Sequence, residues 1–146
     1  VGLVLEVPLD QVAAGLAQAE LSPSRMQLGT APSGLLVIDD AYNANPLSVG
    51  AALEALAAVE APGRRVAVLG LMAELGDDAP LAHQQMAQKA AALGVELFTV
   101  GTDLYGPSPQ ADIDAALKNL GHGDVVLVKG SLVAGLQTLA ARLLKN

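Results

Sequence analysis

The densest run of chemically capable side chains is Asp39-Asp40-Ala41-Tyr42-Asn43-Ala44-Asn45-Pro46. Two adjacent acids close an apolar run, and a phenol, two carboxamides and a proline follow. A carboxylate at a strand end can orient a nucleotide-bound cation or a ribose hydroxyl, and an exposed tyrosine can lie against a base. Asn45 before Pro46 has the form of an N-cap ahead of a helix that opens on proline, which accounts for those two residues without a ligand. It accounts for neither the paired acids nor Tyr42. A second group is Lys129-Gly130-Ser131. Lys129 ends an apolar strand, so its charge needs a partner or a ligand close by. An ammonium and a hydroxyl at a helix N-terminus suit a carboxylate or a phosphate. Arg25, a lone arginine at a strand start, can be a solvated surface charge. Glu74 either caps a turn or faces a substrate. His83, early in a helix, fits a structural hydrogen bond, and His122, between two glycines, an exposed turn.

These residues need a frame. Asp10–Glu20 reads as a short helix after Pro8, and Ser22-Pro23-Ser24 breaks it with linker composition. Arg25–Gly29 and Gly34–Asp39 read as two strands joined by a turn-rich segment, a hairpin. The chain then alternates: helix Leu47–Glu60, strand Arg65–Gly70, helix Ala79–Leu93, strand Val95–Val100, helix Asp112–Leu120, strand Val125–Lys129 and helix Val133–Leu144. Such alternation with near-continuous apolar strands predicts an α/β protein with a doubly wound, mostly parallel, Rossmann-like sheet and an N-terminal edge hairpin. Ligands in such sheets bind beyond the carboxyl ends of the strands. Four loops leave that edge: Asp39–Pro46, Gly70–Asp78, Gly101–Pro107 and Lys129–Leu132. Most of the useful side chains fall in them, whereas polarity kept only for solubility would spread over helix faces.

Composition bounds the rest. A chain of 146 residues with 52% apolar residues suits one core, and the absence of cysteine excludes disulfides and thiolate metal sites. A net charge of −7 argues against nucleic acid or an anionic membrane as a partner. No apolar run reaches the roughly 18 residues of a membrane span. Val1–Val7 is too short and too poor in positive charge for a signal peptide. The expectation is a cytoplasmic protein, and the lack of an initiator Met suggests a piece of a longer one.

Asp-Asp-Ala-Tyr-Asn-Ala-Asn-Pro followed by Ser48, Ala51, Ala52 and Leu53 resembles a signature at the start of the C-terminal domain of Mur ligases. It is the motif of the branch that adds D-alanyl-D-alanine to UDP-N-acetylmuramoyl-tripeptide in peptidoglycan synthesis. Ser24-Arg25-Met26, Val66–Gly76 with His83, and Val126–Ser131 resemble that family's other segments in order and spacing. The resemblance runs from Arg25 onward. It implies that residues 25–146 form the C-terminal domain and that residues 1–24 are the tail of a preceding central domain or a linker.

The resemblance further implies a mechanism. ATP, with Mg2+, phosphorylates a terminal carboxylate, and the amine of D-alanyl-D-alanine attacks the acyl phosphate. Arg25, Asp40, Tyr42, Asn43 and Asn45 should then line the ATP side. Lys129, Ser131 and Glu74 should face the dipeptide or acyl-phosphate region. No residue of this domain is assigned a catalytic step, and none is a metal ligand. The phosphate loop, metal ligands and UDP-sugar site lie on earlier domains, and the chain indeed has no G-x-x-x-x-G-K-[ST] run. The domain alone should therefore be inactive, and the whole ligase a monomer. Two positions depart from the pattern. Leu71 stands where the family usually has an acid, and Leu132 where it has an arginine. If those two charges normally pair or share a ligand, the leucines should stand close together. Alternatives are another Mur-type ligase, a folylpolyglutamate synthase domain, or a non-catalytic doubly wound binding domain. A dinucleotide oxidoreductase would need G-x-G-x-x-G after a strand, which is absent.

Overall fold

A computed structural model describes residues 23–106 and 113–146, together with residues 8 and 11. The helix expected at 10–20, and most of the expected 1–24 tail, lie outside the described residues. Among the described residues five strands form one sheet in the order β1-β2-β5-β3-β4. They are β1 (Gln27–Thr30), β2 (Leu36–Asp40), β3 (Arg65–Leu69), β4 (Glu96–Thr99) and β5 (Val125–Lys129). β1 pairs antiparallel with β2, and the other three pairings are parallel. The helices are α1 (Pro46–Ala58), α2 (Ala79–Ala92), α3 (Ile113–Leu117) and α4 (Gln137–Leu143), with short 3-10 turns at Gly76–Asp78 and Leu132–Ala134.

The central strands β3 and β5 and most of β2 are apolar because both faces are covered, and the pleat deals their side chains alternately to two cores, whereas edge strand β1 is largely exposed. Ile38, Ala67, Leu69, Val125 and Leu127 pack under α1 and α2. Val37, Val66, Val68, Val126 and Val128 pack with Leu117, Leu139, Ala140 and Leu143 of α3 and α4 on the other side. α1 meets its core through Val49, Ala52, Leu53 and Leu56, a helical 3-4-7 spacing. Going from β2 to β3 to β4 the chain steps one way across the sheet, and it returns from β4 to β5. One handedness of crossover then requires α1 and α2 on one face and α3 on the other, where α4, which leads to no further strand, also packs. The loops after β2 and β5, neighbours in the sheet, accordingly leave toward opposite faces. That arrangement makes the carboxyl ends of β2 and β5 the switch point of the sheet.

Several expected boundaries shift by one to three residues, and two changes bear on the site. Arg25 was expected inside the first strand, but β1 begins at Gln27 and Arg25 stands in the turn before it. Ser24 and Met26 have φ of 56° and 48°, a left-handed conformation incompatible with a ladder. The last helix was expected to run unbroken over Val133–Leu144. Gly135 instead adopts φ 67° and closes the 3-10 turn, so α4 starts at Gln137.

Candidate functional site

The loop after β2 is held at almost every peptide. Tyr42 N–H donates to the Ser24 carbonyl (3.1 Å), and Gln137 Nε2 donates to the Ala41 carbonyl (2.8 Å). Lys129 Nζ donates to the Asn43 carbonyl (2.8 Å), and Ser131 Oγ to that of Ala44 (3.3 Å). Asn45 then caps α1. Its carboxamide oxygen accepts from Ser48 N–H (2.8 Å), while Ser48 Oγ accepts from Asn45 N–H (3.1 Å), a reciprocal capping box with Pro46 at the first turn. With its backbone fixed, the loop leaves Tyr42, Asn43 and Asn45 exposed at the edge.

Asp39 and Asp40 point to opposite faces, because neighbouring strand residues do. Asp39 accepts from Ser24 Oγ (2.9 Å) and from Ala41 N–H (3.2 Å). Asp40 lies in register beside Lys129 on β5, and the two form an ion pair at 2.5 Å. Its other oxygen accepts from Met26 N–H (3.0 Å). Both acids thus brace the Ser24–Met26 turn, and that turn lifts Arg25 over Tyr42, its guanidinium carbon 4.2 Å from the ring centroid. Arg25, Met26, Asp40, Asn43, Asn45, Ser48 and Lys129 line a cleft of about 520 Å3, whose far wall is the small-residue face of α1 at Ala51, Ala52 and Ala55. A guanidinium stacked on a half-exposed aromatic ring, with carboxamides beside it and a carboxylate neutralised by Lys129 below, suits a flat base and, at the guanidinium, an anionic group.

The residues expected to face a second substrate sit differently. Ser131 is buried, its Oγ accepting from Ala73 N–H (2.9 Å) while donating to Ala44. It caps no helix with its side chain, since only the short 3-10 turn follows it, and the helix N-terminus expected there is absent. Lys129 is 2% exposed, with its bonds directed to Asp40 and Asn43. Glu74 is exposed on the loop after β3, with φ 64°. Ser131 N–H donates to the Leu71 carbonyl (2.9 Å), so the loops carrying Leu71 and Leu132 run side by side.

Two pinning residues of this region were not singled out from sequence as part of it. Gln137 reaches the Ala41 carbonyl from the opposite face. Tyr105, buried in the loop after β4, donates to the Gly70 carbonyl (2.9 Å), and burial pushes its phenol well above the usual range. His83 is fully buried, as its structural reading anticipated. Nε2 accepts from Met72 N–H (2.9 Å), which leaves the proton on Nδ1 to donate to the Ala79 carbonyl (2.6 Å). Its ring meets that of Tyr105 edge-on at 4.7 Å. His122 is exposed.

Residues 24–112 match the protein family described as Mur ligase, glutamate ligase domain. The UDP-N-acetylmuramoyl-tripeptide--D-alanyl-D-alanine ligase of Mycobacterium tuberculosis is 40% identical to this chain, over 100% of the chain and 36% of that protein. The protein of the same name from Escherichia coli is 34% identical over 94% of this chain and 33% of its own length. A solved structure from Acinetobacter baumannii, a UDP-N-acetylmuramoylalanyl-D-glutamyl-2,6-diaminopimelate--D-alanyl-D-alanyl ligase, superposes with a TM-score of 0.81. It is 29% identical, over 97% of this chain and 33% of that one. The MurF ligase of Thermotoga maritima, solved with ADP, shares the fold at a TM-score of 0.71 and 23% identity, over 98% of this chain and 35% of that one. The chain spans about a third of the length of the curated relatives it matches. With the family match covering more than half of its residues, the chain belongs to the Mur ligase family, in its C-terminal, glutamate ligase domain.

Proposed function

We propose that this domain serves an ATP-dependent ligase that joins D-alanyl-D-alanine to UDP-N-acetylmuramoyl-tripeptide. The observation that carries the reading is the cleft between the Arg25 turn and α1, above the carboxyl ends of β2 and β5. Four of the five residues expected on the nucleotide side, Arg25, Asp40, Asn43 and Asn45, line it, and Tyr42 lies against the first of them. Relatives bearing that activity in their names are up to 40% identical along the whole chain. Residues 25–146 are then the C-terminal domain, and residues 1–24 the end of a central domain or a linker. The enzyme acts in the cytoplasm as a monomer; among the described residues no helix is long and apolar enough to cross a membrane.

In this reading ATP transfers its γ-phosphoryl group to the terminal carboxylate of the tripeptide. The amine of the dipeptide attacks the acyl carbon, and the tetrahedral intermediate expels phosphate to leave the amide. This domain binds and orients. Tyr42 offers a face for the adenine, Arg25 meets phosphate or ribose oxygens, and Asp40, Asn43 and Asn45 supply polar anchors. Glu74, exposed on the loop after β3, is the side chain this reading assigns to the dipeptide. Magnesium is assigned to the central domain. The described residues contain no group of three acids or histidines able to hold a cation, and the Asp40 carboxylate is already shared by Lys129 and Met26.

The test is phosphate release by the full-length ligase carrying this domain, supplied with ATP, UDP-N-acetylmuramoyl-tripeptide and D-alanyl-D-alanine. Release should require the dipeptide. Asp40→Ala should lower kcat/KM by roughly 10- to 100-fold, the scale of a lost charged hydrogen bond. Release indifferent to the dipeptide from a folded enzyme would refute the substrate assignment.

A further inference from the structure

The Arg25 turn is an unusual piece of backbone. Ser24 and Met26, on either side of Arg25, both have positive φ without being glycine. Such conformations persist only where surrounding bonds over-determine them, and they cluster at functional sites. Here four bonds do so: Ser24 Oγ to Asp39, Ser24 N–H to Gln27 Oε1 (3.1 Å), Tyr42 N–H to the Ser24 carbonyl, and Met26 N–H to Asp40. The last depends on how Asp40 is aimed, and Asp40 is aimed by Lys129. The ammonium sits beneath the loop at 2% exposure, bonded to Asp40 Oδ2 and to the Asn43 carbonyl. One buried cation therefore ties three segments together: the end of β5, the loop that carries Tyr42, and, through Asp40, the turn that carries Arg25.

We propose that Lys129 is a positioning residue of the nucleotide side, which holds Arg25 over Tyr42 through Asp40 and does not itself meet the dipeptide. Its effect on turnover rests on the ligase reading above, whereas its effect on the Arg25 turn does not. A lysine in contact with a carboxylate substrate would need donors directed into open space. This one directs its observed bonds inward, to a carboxylate and a carbonyl of its own chain.

Two measurements test it. In the 146-residue chain labelled with 15N, the Arg25 Nε–H signal should be displaced by the Tyr42 ring current. That displacement should collapse in Lys129→Met and shrink in Lys129→Gln, with methyl signals of Val37, Leu53 and Leu127 unmoved. Lys129→Gln keeps a donor at the site and serves where Lys129→Met does not fold. In the full-length ligase, Lys129→Gln should raise the KM for ATP about tenfold and leave that for D-alanyl-D-alanine within about twofold. Arg25→Ala should cost far less in the Lys129→Gln background than in the parent, because coupled residues are non-additive. An undisturbed Arg25 signal, a rise in dipeptide KM instead of ATP KM, or full additivity with Arg25→Ala would each overturn the proposal. A parent enzyme without dipeptide-dependent turnover, but whose Arg25 signal still collapses in the variants, would refute the ligase reading and uphold the positioning role.

Discussion

Asp39 and Asp40 are neighbours in the chain, yet the pleat of β2 sends them to different faces, and they do different work. Asp39 braces Ser24 and the Ala41 amide, while Asp40 pairs with Lys129 beside the cleft. The acids were legible in the sequence as a pair at a strand end, but not their division of labour, because Asp40's partner lies 89 residues away. His83 shows the converse case. Its structural reading holds, and its Nε2 is the acceptor that a buried Met72 amide requires. His83→Ala should remove that acceptor and open a cavity, costing about 3 kcal/mol, measurable by urea unfolding. Its place outside the cleft means that the KM for ATP should stay put.

At the scale of elements, the helix that follows the site begins where its sequence says it should. Asn45, Pro46 and Ser48 form the cap that the residue types announce, and Ser48→Ala should cost about 1 kcal/mol by removing half of the capping box. The end of the chain was less legible. An apolar run from Val133 onward reads as one helix, with Gly135 its third residue. In the structure it breaks the run, with φ 67°. Gly135→Ala should therefore destabilise by about 1 kcal/mol even though a Cβ there meets nothing. Gly70 is constrained differently, by space: a Cβ would come within 2.8 Å of Ala134 Cβ. Gly70→Ala should push the loop after β5 away from β3, which chemical-shift changes at Ser131 and Ala73 would report.

Across the whole molecule, the candidate site and the anchoring contacts of Asp124 occupy opposite edges of the sheet. At the amino edge Asp124 accepts from Arg64 N–H (2.7 Å) and Gly121 N–H (3.0 Å), tying the start of β5 to the segment before β3. Partial burial raises its pKa, but those two N–H groups and the Arg64 charge outweigh it and hold the carboxyl below the usual range. A depressed folded value means that this stabilisation is whole above the unfolded value of about 3.9 and fades as pH falls through the folded one. Asp124→Asn should lower stability by about 1 kcal/mol at neutral pH, with the gap to the parent closing below about pH 4. Because Asp124 is remote from the cleft in the fold, the same variant should leave the KM for ATP unchanged. A shift in that KM would show that the two edges are coupled.

The doubly wound class, the edge hairpin, the capped start of α1 and the loops that carry the site were all set by local information: apolar periodicity, alternation of strand and helix, and turn residues at fixed spacing. The tertiary structure decided what those side chains do once placed. Strand order put β5 between β2 and β3, and only that order brings Lys129 beside Asp40 and turns an expected substrate contact into an internal brace. The left-handed turn at Ser24–Met26 was likewise beyond local reading, since neither residue favours positive φ on its own. Bonds from Asp39, Asp40, Gln27 and Tyr42 hold it there, and apart from Gln27 those partners exist only after the sheet has closed.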